Sequence, residues 1–108
     1  MTLLGTPALF TPARQVFVPH VYYRLRQDLA KLHPTIVVSG QLDERLDGGR
    51  IRELVEQRMQ DMQPEDYLLL EGHPIVIAEC LAYAIRSFNS VYCLVPSPLY
   101  GGFMEYIL

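Results

Sequence analysis

Hydrophobic residues in this chain occur in short runs separated by longer segments at helical spacing. The short runs predict strands at 8–10, 35–38, 67–70, 91–95 and 103–108, and the run 16–18 is a competing candidate for the first of them. The run 67–70 shows no polar alternation, which is typical of a central strand covered on both faces.

Three longer segments predict helices. The first begins at Pro19 and has its apolar positions at Val21, Leu25, Leu29 and Leu32. The second follows a predicted N-cap at Asp47, and its inner face consists of Ile51, Leu54, Val55, Met59 and Met62.

The third helix, predicted from Pro74 to about Phe88, is apolar nearly all round and is therefore expected to be buried nearly all round. Its polar strip consists of Glu79, Tyr83 and Arg86. This strip either faces water or sets the register within a subunit interface.

The element order β-α-β-α-β-α-β-β predicts one α/β domain spanning residues 1–108, a small three-layer domain of the Rossmann or flavodoxin type. Its sheet is mostly parallel, in the spatial order 2-1-3-4, with an antiparallel C-terminal strand at the edge. One helix covers one face and two helices share the other. We therefore expect one under-covered face and a homodimer.

Composition supports a subunit interface, since 50% of residues are hydrophobic and only 19% are charged. A net charge of −3 without a Lys/Arg cluster gives no reason to expect nucleic acid as a partner. Cys80 and Cys93 lie in apolar segments and are predicted to be reduced and buried. No signal peptide is visible and no segment is long enough to span a membrane, so a cytoplasmic protein without a membrane partner is expected.

Ligands of open parallel sheets bind beyond the carboxyl ends of the strands. The loops at those ends supply the candidate ligand-binding residues, which are Arg14, Ser39, Gly40, Glu71, Gly72 and His73.

Two interpretations of these residues are open. Backbone N–H groups at Gly72 and His73 would hold an anion at the start of the third helix, with Arg14 adding a bidentate contact. Alternatively, Gly72 only makes a tight turn, and Pro74 removes one donor. Glu71 and His73 would act as acid and base, or else His73 caps the helix and Glu71 is solvated or pairs with Arg14.

No catalytic residue is assigned, and the sequence leans against an enzyme. His20, His33 and His73 are scattered without metal-ligand spacing, so no metal is expected. Phosphate-loop, dinucleotide and nucleophile-elbow motifs are absent from the sequence, and no cofactor is predicted.

The function predicted from these observations is that of a small non-catalytic binding or regulatory accessory protein. It would act through protein–protein interaction as a homodimer, with Tyr106 and Ile107 on an exposed edge strand that pairs with another chain. The alternative is binding, with possible hydrolysis, of a nucleotide or other small anionic ligand at the carboxyl ends of the strands.

Overall fold

The computed structural model describes residues 2–3, 14–42, 48–99 and 101–108. In this part of the chain the elements are β1 (Thr2–Leu3), β2 (Val16–Val21), α1 (Gln27–Ala30), β3 (Thr35–Ser39), α2 (Gly48–Arg58), β4 (Tyr67–Leu69), α3 (Pro74–Phe88), β5 (Tyr92–Pro96) and β6 (Phe103–Ile107). They form a mixed α/β fold around one sheet.

The strands lie side by side in the order β1-β6-β5-β4-β2-β3. Strands β3, β2, β4 and β5 are parallel, and β6 is antiparallel to β5. The predicted strand order and the antiparallel C-terminal strand are therefore confirmed, with β2 as the first parallel strand. The predicted strand 8–10 lies outside the described residues.

The segment after Val18 is where the sequence prediction is wrong. Pro19 does not begin a helix but lies buried inside β2, and α1 is a single turn further on. The reason is the side-chain alternation of β2: Val16 and Val18 enter the core on one face of the sheet, and Phe17 enters it on the other. Burial on both faces overrides the weaker helical spacing of the leucines that follow.

One face of the sheet is covered by α2 and α3. Phe17, Leu68 and Cys93 from the sheet pack in one cluster with Val55 of α2 and Cys80 of α3. All five side chains are nearly or fully excluded from solvent. This cluster contains more buried residues than the one on the opposite face, so it is the larger part of the described core.

The opposite face holds a second cluster of Val16, Val18, Tyr67, Leu69, Leu94 and Phe103 with Leu29 of α1. None of these residues is more than 3% exposed. The Arg26 guanidinium carbon lies 5.7 Å from the Phe103 ring centroid. The expectation of an under-covered sheet face is therefore wrong, and the argument for a dimer that depended on it fails.

Helix α3 is not buried all round, contrary to the sequence prediction. Val76, Cys80 and Ala84 face the core, but Ala78 and Ala82 are exposed, and Ile75 and Ile85 are 49% and 37% exposed. One apolar face of the helix is thus open in the single chain.

The polar strip of α3 contacts α2, which neither interpretation of the sequence anticipated. Glu79 Oε2 lies 3.3 Å from Arg52 Nε, and Arg86 Nη2 lies 3.7 Å from Glu56 Oε1. Tyr83 is partly buried against the core. Three of the four charged side chains in these pairs are more than half exposed, so each pair adds at most about 1 kcal/mol to the contact between the two helices.

The edge beyond β6 is occupied at the predicted interface residues. Strand β1 pairs antiparallel with β6, with Thr2 opposite Ile107 and Leu3 opposite Tyr106. The prediction that β6 is the exposed edge is therefore wrong at these two residues, because another strand pairing there would have to displace β1.

Both cysteines are free and buried, as predicted. Burial raises the pKa of the Cys80 and Cys93 thiols to about 12. Within the described residues, no helix is long and apolar enough to cross a membrane.

Candidate functional site

The chain order reverses across the sheet between β2 and β4, so a ligand crevice is expected at the carboxyl ends of these two strands. The two strands pair only at Val16 with Tyr67 and at Phe17 with Leu68. Pro19 is not paired with a residue of β3 or β4, because its nitrogen carries no hydrogen to donate to a neighbouring strand. Strand β4 ends at Leu69, and the turn after it approaches β2 closely at His20. This is the position at which open parallel sheets bind ligands.

His20 holds the loops around this crevice together. Its Nε2 donates a hydrogen bond to the carbonyl oxygen of Gly40 at 2.7 Å. The Gly40 N–H in turn donates to the carbonyl oxygen of Val21 at 2.9 Å. The end of β3 is thereby attached to the end of β2 through a side chain and a backbone bond.

Gly72 allows the turn after β4 to approach the same histidine. Its φ is +125°, and a Cβ at this position would lie 2.9 Å from the backbone oxygen of His20. Glycine is required here for conformation and for space. This accounts for Gly72 without a ligand.

His73 caps α3. Its Nδ1 accepts a hydrogen bond from the Ile75 N–H at 3.2 Å, and Pro74 occupies the first helical position. Two of the donors that would hold an anion at this helix start are therefore used or absent. The capping interpretation is confirmed. The anion interpretation loses the donors of positions 74 and 75, whereas the N–H groups of Gly72 and His73 that it named are not affected by the cap.

The structure does not assemble Glu71 and His73 as an acid–base pair. Glu71 Oε1 lies 3.9 Å from Arg26 Nη1, and no hydrogen bond joins Glu71 to His73 in the described part of the chain. The ring of His73 instead meets His20 edge-on, with 6.2 Å between centroids. These contacts are structural.

Arg14 lies at the opposite end of the sheet from the crevice. It precedes β2, and its guanidinium carbon lies 5.3 Å from the Tyr67 ring centroid and 4.9 Å from that of Tyr92. The predictions that Arg14 faces the crevice and can pair with Glu71 are wrong, because the first parallel strand follows Arg14 instead of preceding it. The contacts with the two rings are of cation–π type.

Ser39 is the last residue of β3, in register with Val21. It is exposed and borders a separate hollow of about 160 Å³ beside Leu54 and Arg58. Gly40, Gly72 and His73 thus lie around His20. Ser39 instead borders the separate hollow, and Glu71 lies near Arg26.

The cleft beside this cluster has a volume of about 230 Å³. Its lining consists of Val18, His20, Val21, Tyr22, Tyr23, Arg24, Leu25, Arg26, Leu29 and Glu71. Of the predicted site residues only Glu71 belongs to this set.

The sequence prediction missed the residues 22–26 because it placed them in a helix. A signal was present, since Val21, Tyr22 and Tyr23 continue a run of residues with high strand propensity that begins at Val16. Extending the strand through Pro19 would have placed both tyrosines at its carboxyl end.

A second candidate surface lies on α3. We define the α3 stripe as the exposed residues Ile75, Ala78, Ala82 and Ile85. Their spacing of three, four and three residues keeps them on one face of the helix.

The described residues contain no group of three or more His, Cys, Asp or Glu side chains that could hold a metal ion. No protein-family model, no curated protein and no solved structure matches this chain. The assignment to a Rossmann or flavodoxin type therefore stays a prediction, and the function is argued from this chain alone.

Proposed function

We propose that this protein is a small non-catalytic binding and regulatory module that acts through protein–protein interaction as a homodimer. The observation that carries the proposal is the α3 stripe, an apolar helix face left open in the single chain. A helix that is apolar on both its inner and its outer face is typical of one covered on both sides. A partner chain would bury the α3 stripe, as the sheet buries the inner face of the helix.

The pattern of the α3 stripe favours a second copy of the same chain as that partner. Ile75 and Ile85 lie five residues on either side of position 80, and Ala78 and Ala82 lie two residues on either side. Two antiparallel α3 helices related by a two-fold axis at this level place Ile75 opposite Ile85 and Ala78 opposite Ala82. An interface of this kind is self-complementary.

Side-chain size agrees with close packing of the two helices. The alanines occupy the centre of the α3 stripe, where small side chains allow helix axes to approach to about 8 Å. The larger isoleucines lie at both ends and fill the space where crossing helices diverge. Antiparallel helices also bring the positive end of one dipole beside the negative end of the other.

The energy of the α3 stripe alone is modest. Full burial of an isoleucine contributes about 1.5–3 kcal/mol, and those of the α3 stripe are already about half buried in the single chain. Association itself costs at least about 4 kcal/mol. The proposed interface therefore extends to partly buried hydrophobic residues of the same layer, which are Leu81, Phe88, Tyr106 and Leu108. Tyr106 keeps its proposed interface role through the side chain, whereas Ile107 belongs to the edge that β1 occupies.

The test uses two charge variants that suit the helix dipole. Ile75→Glu adds an acid in the first turn of α3, and Ile85→Lys adds a base in the last turns, so neither opposes the helix itself. Size-exclusion chromatography with light scattering should give twice the 12.4 kDa chain mass for the natural sequence and a monomer for each variant.

Mixing the two variants distinguishes the antiparallel arrangement from other dimers. In a mixed dimer the glutamate introduced at position 75 of one chain meets the lysine introduced at position 85 of the other, so mixing should restore a dimer. Gln57→Lys on the exposed side of α2 is the matched control and should stay dimeric. A monomeric natural sequence at micromolar concentration, or variants that stay dimeric, would refute the proposal.

A further inference from the structure

The cleft at the end of β2 combines an apolar floor with exposed aromatic rings. Val18 and Leu29, which belong to the second core cluster, form part of its lining. Tyr22 and Tyr23 border it and are 44% and 85% exposed. Their ring centroids lie 4.1 Å apart at an interplanar angle of 62°.

These tyrosines are unusual because most large hydrophobic side chains among the described residues are buried at least in part. Aromatic faces exposed beside a cleft provide a surface on which a planar ring stacks. A side-chain hydrogen bond with Tyr23 raises the pKa of Tyr22 above its ordinary value.

The two arginines of the cleft differ in their partners. Arg26 Nη2 lies 2.5 Å from Asp28 Oδ2, and the hydrogen bond from Arg26 lowers the pKa of that carboxyl. Arg26 also lies near Glu71. Arg24 is exposed and has no ion pair or hydrogen bond within the described part of the chain. Its guanidinium is free to bind an anion, and its planar fork matches a phosphate or a carboxylate.

The volume limits the size of a ligand. Sites for drug-sized molecules occupy about 300–1,000 Å³. A cleft of about 230 Å³ therefore takes a single ring system, with any charged group at the open border.

We propose that this cleft binds a small ligand that has one planar ring system and one anionic group, the chemistry of a nucleoside monophosphate. The ring stacks on Tyr23 and meets the inclined ring of Tyr22 edge-on above the apolar floor, and the anionic group binds Arg24. This site is separate from the α3 stripe and does not depend on the proposed dimer.

The test is isothermal titration calorimetry of the whole chain with AMP, GMP, CMP and UMP, together with two partial probes. Adenosine has the ring without the charge, and inorganic phosphate has the charge without the ring. At least one monophosphate should bind at least tenfold more tightly than either partial probe. Its binding should also raise the melting temperature of the protein.

Variants locate the site. Arg24→Ala and Tyr23→Ala should each weaken binding of the monophosphate at least fivefold, while Arg58→Ala, an exposed arginine of α2, should leave it unchanged. All three side chains are exposed, so the variants are expected to keep the melting temperature of the natural sequence.

Three results would overturn the proposal. They are no binding of any monophosphate at millimolar concentration, equal binding of inorganic phosphate, and binding that Arg24→Ala and Tyr23→Ala leave unchanged. Light scattering on the same samples separates this outcome from that of the dimer, because Arg24→Ala should keep the mass of the natural protein.

Discussion

Helices α2 and α3 lie side by side on the same face of the sheet, yet they differ on the side that faces outward. In α2, Ile51 and Val55 are buried and Glu53 and Gln57 are exposed. In α3 the buried residues are equally apolar, but the exposed ones include the four apolar residues of the α3 stripe. Burial within the single chain explains where α2 has apolar and polar residues. In α3 it explains the apolar residues of the inner face but not those of the α3 stripe.

The difference between the two exposed sides separates the apolar residues that folding of one chain requires from those that it does not. Both helices offset the entropic cost of ordering mainly through their inner faces, and folding alone buries only about half of Ile75 and Ile85. Burial of the inner faces in one shared cluster already places α3 beside α2, and the Arg52–Glu79 and Arg86–Glu56 pairs add exposed contacts between them. The α3 stripe is thus the part of the pattern that a contact outside the chain explains.

The largest predicted effect compares identical substitutions on the two helices. Ile51→Ala in α2 should lower the free energy of unfolding by about 2–5 kcal/mol, because the side chain is 3% exposed and leaves a cavity. Ile85→Ala in α3 should cost less than about 1 kcal/mol when measured at concentrations where the protein is monomeric. Urea denaturation measures both, and equal losses would show that the two faces do not differ.

The next effect concerns the turns that follow β3 and β4, ahead of the two helices. Gly72→Ala should cost about 1–3 kcal/mol from its positive φ, and more because the new Cβ meets the His20 backbone. Gly40→Ala carries the strain of φ +84° alone, since no atom lies within 4 Å of its added Cβ. Thermal unfolding should rank Gly72→Ala as the more damaging, and the reverse order would contradict the close packing of this turn.

A smaller effect is expected at the cap of α3. His73→Ala should lower stability by about 0.5–2 kcal/mol through loss of the bond from the Ile75 N–H. His73→Asn, which caps helices well, should recover most of the loss. Urea denaturation of both variants tests the assignment, and equal losses would show that the imidazole acts in another way.

The smallest effect concerns the cysteines, one of which lies on the inner face of α3. Their folded pKa of about 12 lies above the ordinary thiol value of 9.0, so unfolding releases protons once the pH approaches 9. The contribution of both thiols is complete only well below pH 9 and is lost as the pH rises through 9 towards 12. Between pH 8 and pH 9 the loss is less than about 1 kcal/mol.

Urea unfolding at pH 8 and pH 9 measures this contribution when the natural protein is compared with a Cys80→Ala/Cys93→Ala variant. Only the natural protein should lose the free energy that the thiols contribute. The folded protein should also resist iodoacetamide at pH 8. Rapid alkylation of Cys80 would contradict the dry inner face of α3.

The sequence predicts the fold well where the hydrophobic pattern has one dominant period. The runs 35–38, 67–70 and 91–95 and the long segment of α3 lie close to the observed elements, and the strand order follows from the usual right-handed crossovers. It fails near Pro19, where leucines at helical spacing follow a β-branched run and the two signals compete. That single error moved Arg14 into the site and kept Tyr22 and Tyr23 out of it.

Other features depend on contacts that no local pattern contains. The pairing of β1 with β6 joins residues more than a hundred positions apart. The sequence correctly indicates that α3 is apolar all round, but it does not tell which face meets the core of the same chain. Only the packing of Val76, Cys80 and Ala84 separates the inner face from the α3 stripe.

The most direct test of the central claim is disulfide cross-linking across the proposed two-fold axis. Ala78→Cys/Ala82→Cys places two thiols on the α3 stripe, and Glu53→Cys/Gln57→Cys places two thiols at the same spacing on the exposed side of α2. The natural cysteines are fully buried and should not compete. With helix axes about 8 Å apart, facing positions come within disulfide range.

Mild oxidation followed by non-reducing electrophoresis should give a covalent dimer from the α3 pair and little from the α2 pair. Absence of a covalent dimer from the α3 pair, or equal yields from both pairs, would contradict the claim that the α3 stripe joins two copies of this chain.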